Sequence, residues 1–218
     1  MSEVHVYQRG LAAYAETWRQ QQSFTETRGP GTPDQIWCLE HPPVYTLGLA
    51  GRPEHLLDPG RIPVQRTDRG GQVTYHGPGQ LVVYLLLDLQ RRGLTVKAYV
   101  RLLEQAIIDM LAAAGVEAGR MRNAPGVYVA GSKIAALGIR VRKGCCYHGI
   151  ALNVDMDLSP FAGINPCGFP GLDVTQLSVH GPRLNVEDAA LMLVPHLAGT
   201  LGYAGLDWRG DVTMEATA

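Results

Sequence analysis

Three strand-like segments follow one another near the centre of the sequence, and they constrain the fold more than any other feature. They cover residues 126–130, 133–142 and 145–154, and Lys143-Gly144 provides a turn between the last two. No helix fits between these segments. Strands that occur in runs, with helices elsewhere in the chain, are typical of an α+β domain and not of a doubly wound parallel sheet.

Further strands are predicted in the N-terminal half. Two lie at Gln35–Glu40 and Val44–Leu47, on either side of His41-Pro42-Pro43. Residues 62–66 form another, and residues 79–87 are a continuous apolar run typical of a buried strand. Because 26 glycines and 14 prolines are spread along the whole chain, we expect many short elements.

Helices are predicted over residues 11–27, 96–114 and about 186–201. The first ends at the breaker Arg28-Gly29-Pro30-Gly31. The second is the clearest, because its apolar residues recur every three or four positions. The third has Asn185 as a candidate N-cap, and Pro195 is expected to kink or interrupt it.

The length and composition indicate one packed domain over residues 1–218. The chain has 218 residues, too few for two well-cored domains, and 46% of them are hydrophobic while 18% are charged. A net charge of −1 at pH 7 excludes a global field that would draw the protein to nucleic acid or to an anionic membrane. Electrostatic recognition would require a local patch.

Nothing in the sequence indicates export or membrane insertion. The start at Met1 lacks a basic segment followed by an apolar run, and the most apolar stretch, residues 81–89, is about half the length of a membrane span. We therefore expect a cytoplasmic protein, where thiols stay reduced. The four cysteines are Cys38, Cys145, Cys146 and Cys167.

A glycine-rich segment, residues 69–80, joins two strand-like runs. Its glycines allow the backbone to approach a ligand closely, and polar side chains lie among them. It is either a binding loop or a hairpin whose polar residues face water. It is not a phosphate-binding loop, because the lysine followed by Ser or Thr is absent.

Two further residues are candidates for chemistry. Lys133 interrupts an apolar segment, where a lysine is either functional or placed so that its ammonium reaches solvent. Cys167 lies in a Pro/Gly loop that can expose its sulfur, whereas the other three cysteines lie in strand-like segments and are expected to pack.

His148 is compatible with three roles: a base, an oxyanion donor or a buried strand residue. A zinc site made of Cys167, His76 and His148 is not favoured, because no pair has zinc-ligand spacing. We therefore expect no metal.

Taken together, these segments resemble the lipoyl(octanoyl) transferase family. The resemblance lies in residues 41–48, 69–80, 124–128, 131–138, 148–154 and 166–168. The string Arg-Gly-Gly-x-x-Thr-Tyr-His-Gly-Pro-Gly-Gln, followed later by Pro-Cys-Gly, is highly specific. The resemblance covers about residues 4–177, and the tail after Ser178 matches no motif.

The resemblance implies an α+β catalytic domain similar to that of biotin and lipoate protein ligases, with mixed sheets flanked by helices. It implies transfer of octanoyl from acyl carrier protein to a lysine of lipoyl domains, in 2-oxoacid dehydrogenase complexes and the glycine cleavage H protein. Cys167 is then the acyl-accepting nucleophile and Lys133 its partner, with no cofactor. The implied walls of the acyl site are Arg69, Gly70, Gly71, Gln72, Val73, Thr74, Tyr75, His76, Ala136, Leu137, Gly138, Gly149, Ile150 and Ala151.

The chemistry is consistent with these residue types. A cysteine that accepts an acyl group from a thioester forms another thioester of nearly equal energy, so no ATP is needed. A thiol is only a few per cent ionised at neutral pH, and a nearby ammonium increases that fraction. Burial beside apolar neighbours disfavours the Lys133 ammonium, so Lys133 is expected to give up its proton to act as a base.

Two further expectations concern the surroundings of the nucleophile. Backbone amides near Cys167-Gly168 are expected to hold the oxyanion, with His76 or His148 in support. Arg140 and Arg142 lie two apart on a strand-like segment, hence on one face, where they either receive an acidic carrier protein or are simply solvated.

Other functions remain open from the sequence. An ATP-dependent lipoate-protein ligase would share the fold and a lysine but would not need a loop cysteine. A non-catalytic acyl-binding module would use Lys133 and Cys167 only to line a pocket. A cysteine hydrolase is disfavoured, because it would have no use for a protein-sized amine acceptor.

Overall fold

Two β-sheets and four α-helices make up the part of the chain that the computed structural model describes, residues 3–210. The two ends of the predicted domain, residues 1–2 and 211–218, lie outside this part. The strands are β1 (Glu3–Leu11), β2 (Gln35–Glu40), β3 (Val44–Leu47), β4 (Val64–Arg66), β5 (Val73–His76), β6 (Gln80–Asp88), β7 (Gly119–Met121), β8 (Ala124–Val129), β9 (Ser132–Arg142), β10 (Cys145–Asn153) and β11 (Gly205–Arg209). The helices are α1 (Tyr14–Thr27), α2 (Val96–Ala113), α3 (Leu177–His180) and α4 (Val186–Leu201).

The larger sheet has eight strands in the order β11-β1-β2-β6-β10-β9-β8-β7. Its pairs are antiparallel except for β1, which runs parallel to both β2 and β11. The smaller sheet has the order β4-β3-β5 and also mixes both pairings. Both sheets are therefore mixed, and the predicted α+β class is confirmed.

Side-chain alternation along β6 divides the molecule into layers. Leu81 packs in the core cluster that contains residues of α2 and α4, whereas the next residue, Val82, packs in the cluster that contains residues of α1. Since successive side chains of a strand point to opposite faces, one buried strand supplies both cores. The smaller sheet has its own cluster, which includes Tyr45, Val73 and Phe161.

Turn chemistry explains the hairpins. Lys143 and Gly144 both have positive φ, 51° and 79°, between β9 and β10. Ala130 and Gly131 also both have positive φ, 47° and 87°, in the turn between β8 and β9. A two-residue loop with positive φ at both positions matches the twist of its strands, so these short connections fix the antiparallel order.

The two ends of the described chain differ most from the sequence-based elements. Residue 11 lies in β1 and not in a helix, so α1 begins at Tyr14, three residues later than predicted. Neither β1 nor β11 was predicted, and the two strands pair with each other. Few residues of either strand are fully buried, which weakens the apolar pattern from which a strand is recognised.

Helix α4 agrees with the prediction at its start. The Asn185 side chain accepts a hydrogen bond from the Asp188 N–H at 2.7 Å, as expected of an N-cap. Of the two effects predicted for Pro195, an interruption is wrong, because the helix continues to Leu201, whereas a kink stays a prediction. Pro195 removes the donor for the Leu191 carbonyl, but both residues are exposed, so water can satisfy that carbonyl. None of the helices within residues 3–210 has the length and apolar character to cross a membrane.

Candidate active site

Lys133 and Cys167 are 34 residues apart in the chain and form a direct contact. The Lys133 Nζ lies 2.9 Å from the Cys167 Sγ and 3.2 Å from the Pro125 carbonyl oxygen, to which it also donates. Lys133 is 3% exposed, whereas Cys167 is partly exposed. The two residues predicted to carry the chemistry are thus brought together, with the lysine beneath the sulfur.

The backbone at Cys167 is held in an unusual conformation. Cys167 has φ 56° and ψ 17°, inside a single 3₁₀ turn, Pro166–Gly168. The left-handed region is costly for a residue other than glycine and persists only where the surroundings impose it. Here the Gly168 N–H donates to the Asn165 carbonyl at 2.9 Å, and the Asn165 N–H donates to the His55 carbonyl at 2.8 Å.

The loop that follows Cys167 is tied directly to Lys133. The Lys133 N–H donates to the Asp173 carbonyl at 2.8 Å, and the Thr175 N–H donates to the Lys133 carbonyl at 2.9 Å. This forms a short parallel bridge between Lys133 and Val174. The backbone of the lysine therefore anchors the loop that presents the cysteine.

Space for the Lys133 side chain comes from Gly126, which has φ 137°. A Cβ at this position would lie 3.1 Å from the Lys133 Cε and 2.8 Å from the Ala135 carbonyl oxygen. A side chain here would therefore displace the lysine from the sulfur.

The electrostatics of the pair differ from the expectation for a buried lysine. Burial lowers the pKa of the Lys133 ammonium, but the negative charge and hydrogen bond of the Cys167 sulfur outweigh burial, and the net pKa is raised. In the free protein Lys133 is therefore a cation held against the sulfur. Its predicted role as a base toward the incoming lysine amine stays a prediction.

The other three cysteines are in the core, as predicted. Cys38 lies in β2, and Cys145 and Cys146 begin β10. Burial raises the pKa of Cys38 to about 12 and that of Cys146 to about 12, and burial also raises the pKa of Cys145. Within residues 3–210, no three His, Cys, Asp or Glu side chains are grouped so that they could hold a metal ion.

A cavity opens beside Cys167, between the larger sheet and the glycine-rich segment. Most of the predicted wall residues line it: Arg69, Gly71, Gln72, Val73, Thr74, His76, Ala136, Leu137, Gly138, Gly149, Ile150 and Ala151. A smaller cavity beside it is lined by Lys133 and shares four wall residues with the first, namely Thr74, Ala136, Ala151 and Cys167. The Lys133–Cys167 pair therefore marks one end of the larger cavity.

Two predicted wall residues do not line the larger cavity. The Tyr75 ring packs against Tyr45 and Phe161, with ring centroids 5.5 Å apart in each case. Gly70 uses its N–H to bind the Ile139 carbonyl at 2.9 Å, which fastens the glycine-rich segment to β9. Both residues support the wall without forming its surface.

Arg69 is a buried cation without a carboxylate partner among the described residues. Its guanidinium donates to the Thr46 carbonyl and hydroxyl, the Gly70 carbonyl and the Gln72 carbonyl, at 2.6–3.1 Å. Burial lowers the pKa of Arg69, while the Cys167 sulfur is among the groups that raise it. Arg69 braces the glycine-rich segment and adds positive potential to the cavity.

His76 is neutral within this wall. Its Nδ1 donates to the Gln80 Oε1 at 2.7 Å, since the Gln80 amide nitrogen is itself used to donate to the Asn153 Oδ1. Burial lowers the pKa of His76 to about 3. Because its one N–H is already bonded, His76 has no donor free for an oxyanion.

His148 has no donor free for an oxyanion either. Its Nε2 lies 3.0 Å from the Asp68 Oδ1, and a carboxylate can only accept, so Nε2 carries the proton. Burial lowers the pKa of His148, and the hydrogen bond to Asp68 opposes that shift. The Gly168 N–H is used within its own turn. The structure therefore supports neither histidine nor the Gly168 N–H as an oxyanion donor. Of the donors predicted from the sequence, the backbone N–H of Cys167 remains.

The sequence did not identify several residues of the cavity, namely Tyr14, Val82 and Tyr84 in its wall and Asp68 behind His148. Tyr14 belongs to a helix predicted only from its composition, and Val82 and Tyr84 match ordinary core positions. Asp68 directly precedes Arg69 in the chain, so its place beside the glycine-rich segment was the one available signal.

The surface predicted to be basic, at Arg140 and Arg142, carries less free positive charge than the sequence indicates. Arg140 and Arg142 do lie on one face of β9, opposite Tyr147 and Cys145 of β10. Arg142, however, forms an ion pair with Glu26, and Arg140 is half-buried. The pairing with α1 neutralises part of the charge that the sequence indicated.

Comparison with known proteins places this site in a family. The lipoyl protein ligase A/B catalytic domain model matches residues 13–198. The chain belongs to this family. The octanoyltransferase of Laribacter hongkongensis is 57% identical over 194 residues, covering 89% of this chain and 94% of that protein. The octanoyltransferase of Chromobacterium violaceum is 58% identical over 188 residues, covering 86% and 91%.

Solved structures of lipoate and biotin protein ligases share the fold. Lipoate-protein ligase A bound with ATP has a TM-score of 0.79 at 16% identity, covering 97% of this chain and 89% of that one. The bi-partite lipoate protein ligase of Thermoplasma acidophilum has a TM-score of 0.78 at 16% identity, covering 97% and 87%. The biotin protein ligase of Aquifex aeolicus has a TM-score of 0.54 at 12% identity, covering 92% and 69%. The predicted likeness to both ligase groups is thus confirmed at the level of fold.

Proposed function

We propose that this protein is an octanoyltransferase that moves an octanoyl group from a thioester donor to a protein lysine through an acyl-enzyme on Cys167. The contact of 2.9 Å between Lys133 and Cys167, at one end of a cavity, is the observation that carries the proposal. Relatives 57–58% identical that are octanoyltransferases support the same reaction.

In the first step the Cys167 thiolate attacks the carbonyl carbon of the donor thioester. A carbon–sulfur bond to Cys167 forms, and the carbon–sulfur bond to the carrier breaks, so the carrier leaves as a thiolate that takes up a proton. The Lys133 ammonium favours the attacking form of the sulfur, because an adjacent cation stabilises the anion. One thioester replaces another, so no ATP is consumed.

The second step depends on a change in the charge next to Lys133. Acylation converts the thiolate into a neutral thioester, which removes the contribution that raises the pKa of Lys133. Burial is then the largest remaining effect and lowers that pKa, so the ammonium can release its proton to the departing carrier thiolate. Neutral Lys133 accepts a proton from the incoming lysine amine, whose nitrogen bonds to the carbonyl carbon as the Cys167 thiolate leaves. The product is an amide.

We propose acyl carrier protein as the donor and lipoyl domains as the acceptors, including those of 2-oxoacid dehydrogenase complexes and the glycine cleavage H protein. Similarity to octanoyltransferases supports this pairing, and so does the fold shared with a lipoate protein ligase whose structure was described with its E2 lipoyl domain. The mechanism needs a reduced thiol at Cys167, so we place the protein in the cytoplasm, where thiols remain reduced.

An ATP-dependent ligase is the alternative that the fold alone allows. Ligases of the same fold include one described with bound ATP. Such a reaction has no need of a cysteine held 2.9 Å from a buried lysine. The cysteine–lysine contact therefore favours thioester transfer over adenylate formation.

Mass spectrometry of the intact protein after incubation with octanoyl carrier protein tests the proposal. We expect one octanoyl adduct without ATP, lost when a lipoyl domain is added, and absent in Cys167→Ser. Cys38→Ser and Cys146→Ser are matched controls, because both cysteines are buried and should leave the adduct unchanged. A full adduct in Cys167→Ser, or transfer that requires ATP, would contradict the mechanism.

A further inference from the structure

The side-chain amide of Gln72, a residue of the larger cavity, is held in one orientation. Its Oε1 accepts a hydrogen bond from the Arg52 N–H at 3.0 Å. A backbone N–H only donates, so this contact fixes which end of the amide is the oxygen and leaves the Nε2 at the other end. The Gln72 carbonyl accepts from the Arg69 Nη2 at 2.7 Å and from the Gly48 N–H at 3.3 Å. Backbone and side chain of Gln72 are therefore both fixed.

The Gln72 Nε2 is a donor with no acceptor among residues 3–210. The side chain is half-buried and lines the larger cavity together with Cys167. The Nε2 is open to solvent, since it is not one of the enclosed side-chain atoms that lack a hydrogen bond. Its N–H groups are therefore available to a group that enters the cavity.

The same amide lies against the residue that follows the nucleophile. Gly168 has φ 79°, and a Cβ there would lie 3.1 Å from the Gln72 Cγ and 3.5 Å from the Gln72 Cδ. Glycine thus allows the left-handed backbone and leaves the space beside it to the amide. Consecutive Cα atoms are about 3.8 Å apart, so the amide is one residue step from the backbone of Cys167.

Lys133 and Gln72 approach Cys167 from different cavities. Lys133 lines the smaller cavity and Gln72 lines the larger one, while Cys167 lines both. The Lys133 Nζ already donates to the sulfur and to the Pro125 carbonyl. A thioester whose acyl chain occupies the larger cavity therefore has the Gln72 amide on its own side of the sulfur.

Acyl transfer requires a donor to the carbonyl oxygen. When the Cys167 thiolate attacks, its electron pair forms the new carbon–sulfur bond, and the π pair of the carbonyl moves to the oxygen, which becomes an oxyanion. The pair returns as the bond to the carrier sulfur breaks. Fixed N–H groups stabilise this charge without reorganising. The N–H groups of His76, His148 and Gly168 are used in other hydrogen bonds.

We propose that the Gln72 Nε2 donates to this oxyanion, beside the backbone N–H of Cys167, and that Gln72 is a catalytic residue of the acyl transfer. The inference rests on the proposed function. Arg52 acts through Gln72, because its N–H holds the oxygen end of the amide and leaves the nitrogen end for the substrate. The same donor serves both steps, since each passes through a tetrahedral carbon that bears an oxyanion.

Gln72→Met tests the proposal, because methionine has a similar length but no N–H. Acylation of Cys167 by octanoyl ethyl thioester is followed by intact mass. Alkylation of Cys167 by iodoacetamide is the reference reaction, since displacement at a saturated carbon forms no oxyanion. We expect the maximal acylation rate at saturating donor to fall about 100-fold, while the alkylation rate at its high-pH plateau changes by less than about twofold. An equal loss in both reactions would show that Gln72 only supports the loop, and would overturn the proposal.

Gln72→Glu separates donation from positioning. Glutamate retains an oxygen for the Arg52 N–H but has no N–H of its own when ionised, so acylation should fall at least as far as in Gln72→Met. Acylation at the wild-type rate in either variant would refute the role. Gln65→Met is the matched control: Gln65 lines neither cavity, and its Nε2 already donates to the Arg66 carbonyl, so acylation should be unchanged.

A comparison of donors excludes a contact with the carrier. The loss in Gln72→Met should be the same for octanoyl carrier protein and for octanoyl ethyl thioester, because both form the same oxyanion. A loss confined to the carrier-bound donor would place Gln72 against the carrier and overturn the proposal. The two proposals fail differently. Without any octanoyl adduct on Cys167 in the unchanged protein, the transfer itself fails, whereas an adduct that forms equally fast in Gln72→Met removes only the oxyanion role.

Discussion

At the scale of single residues, the contact between Lys133 and Cys167 serves both proposed steps. The first step requires Lys133 to be protonated, and the second requires it to be neutral. While the sulfur is negative, its charge outweighs burial and raises the pKa of Lys133. In the proposed acyl-enzyme the sulfur carries no charge, and the same burial favours the neutral amine. The position of Lys133, 3% exposed beneath a partly exposed cysteine, is what makes its protonation depend on the state of Cys167.

Substitution of Lys133 should separate the two steps. In Lys133→Ala, alkylation of Cys167 by iodoacetamide at pH 7 should slow, because the cation that contacts the sulfur is gone. Raising the pH should restore alkylation but not transfer. Lys133→Arg retains a cation that cannot release its proton near neutral pH, so it should accumulate the acyl-enzyme without forming amide. Alkylation and transfer at wild-type rates in Lys133→Ala would exclude the role of the pair.

At the scale of elements, β10 approaches the backbone of β6 closely at Gly149, a residue that lines the cavity. Gly149 pairs with Tyr84, and a Cβ at Gly149 would lie 2.1 Å from the Val83 carbonyl oxygen and 2.8 Å from the Leu85 Cδ1. Backbone atoms cannot yield as a flexible side chain can. Any residue larger than glycine must therefore separate the two strands or shift the cavity wall.

Gly149→Ala should lower the free energy of unfolding by about 1–3 kcal/mol, the usual effect of overpacking a core. Gly199→Ala is the matched control: Gly199 is an exposed residue of α4 with nothing within 4 Å of its added Cβ. Because alanine favours helix, that variant should gain up to about 1 kcal/mol. Urea unfolding followed by fluorescence measures both, and equal effects at the two sites would contradict the close approach.

At the scale of the whole molecule, Asp34 joins elements that are distant in the chain. Its Oδ1 accepts from Arg28, at the end of α1, and from Arg91, which follows β6, both at 2.7 Å. Its Oδ2 accepts from the Tyr203 hydroxyl at 2.7 Å, between α4 and β11. The Arg28 and Asp34 side chains are 3% and 2% exposed.

Asp34→Asn should therefore destabilise the protein by about 3 kcal/mol, because it leaves the buried Arg28 guanidinium without its anion. Asp207→Asn is the control. Asp207 pairs with Arg209 at 2.6 Å, but that pair is exposed to solvent, where an ion pair adds little to stability. Thermal unfolding should show a clear loss for the first variant only. A loss of similar size in both would argue against a special role for the Asp34 cluster.

Buried neutral histidines should make the stability of the whole molecule depend on pH. Burial lowers the pKa of His41 to about 4 and that of His76 to about 3. Between those values and about 6.5, the unfolded chain binds more protons than the folded one, so stability is full above pH 6.5 and falls as the pH decreases.

Each of the two histidines should contribute a slope of up to about 1.4 kcal/mol per pH unit. Urea unfolding at pH 7, 6 and 5 measures this slope. His41→Gln should reduce this slope by up to about 1.4 kcal/mol per pH unit, because a glutamine does not titrate. A free energy of unfolding that stays constant between pH 6.5 and pH 5 would show that these rings are accessible to protons in the folded state.

The sequence by itself determined those features that depend on neighbours in the chain. The Lys143-Gly144 turn, the Asn185 cap and the apolar run of β6 follow from local backbone and side-chain preferences. The candidacy of Cys167 also followed locally, because a Pro/Gly loop can present a sulfur. The resemblance to a family added Lys133 as its partner.

Only the tertiary structure decided what depends on residues far apart in the chain. The edge pairing of β1 with β11 places Glu3 opposite Gly205, and no local pattern records such a partner. Asp68 contacts His148 across 80 positions, which fixes the proton of the neutral ring on Nε2. The protonation of Lys133 likewise depends on a sulfur 34 residues away. Burial and charge act through space, so these properties appear only when the chain is folded.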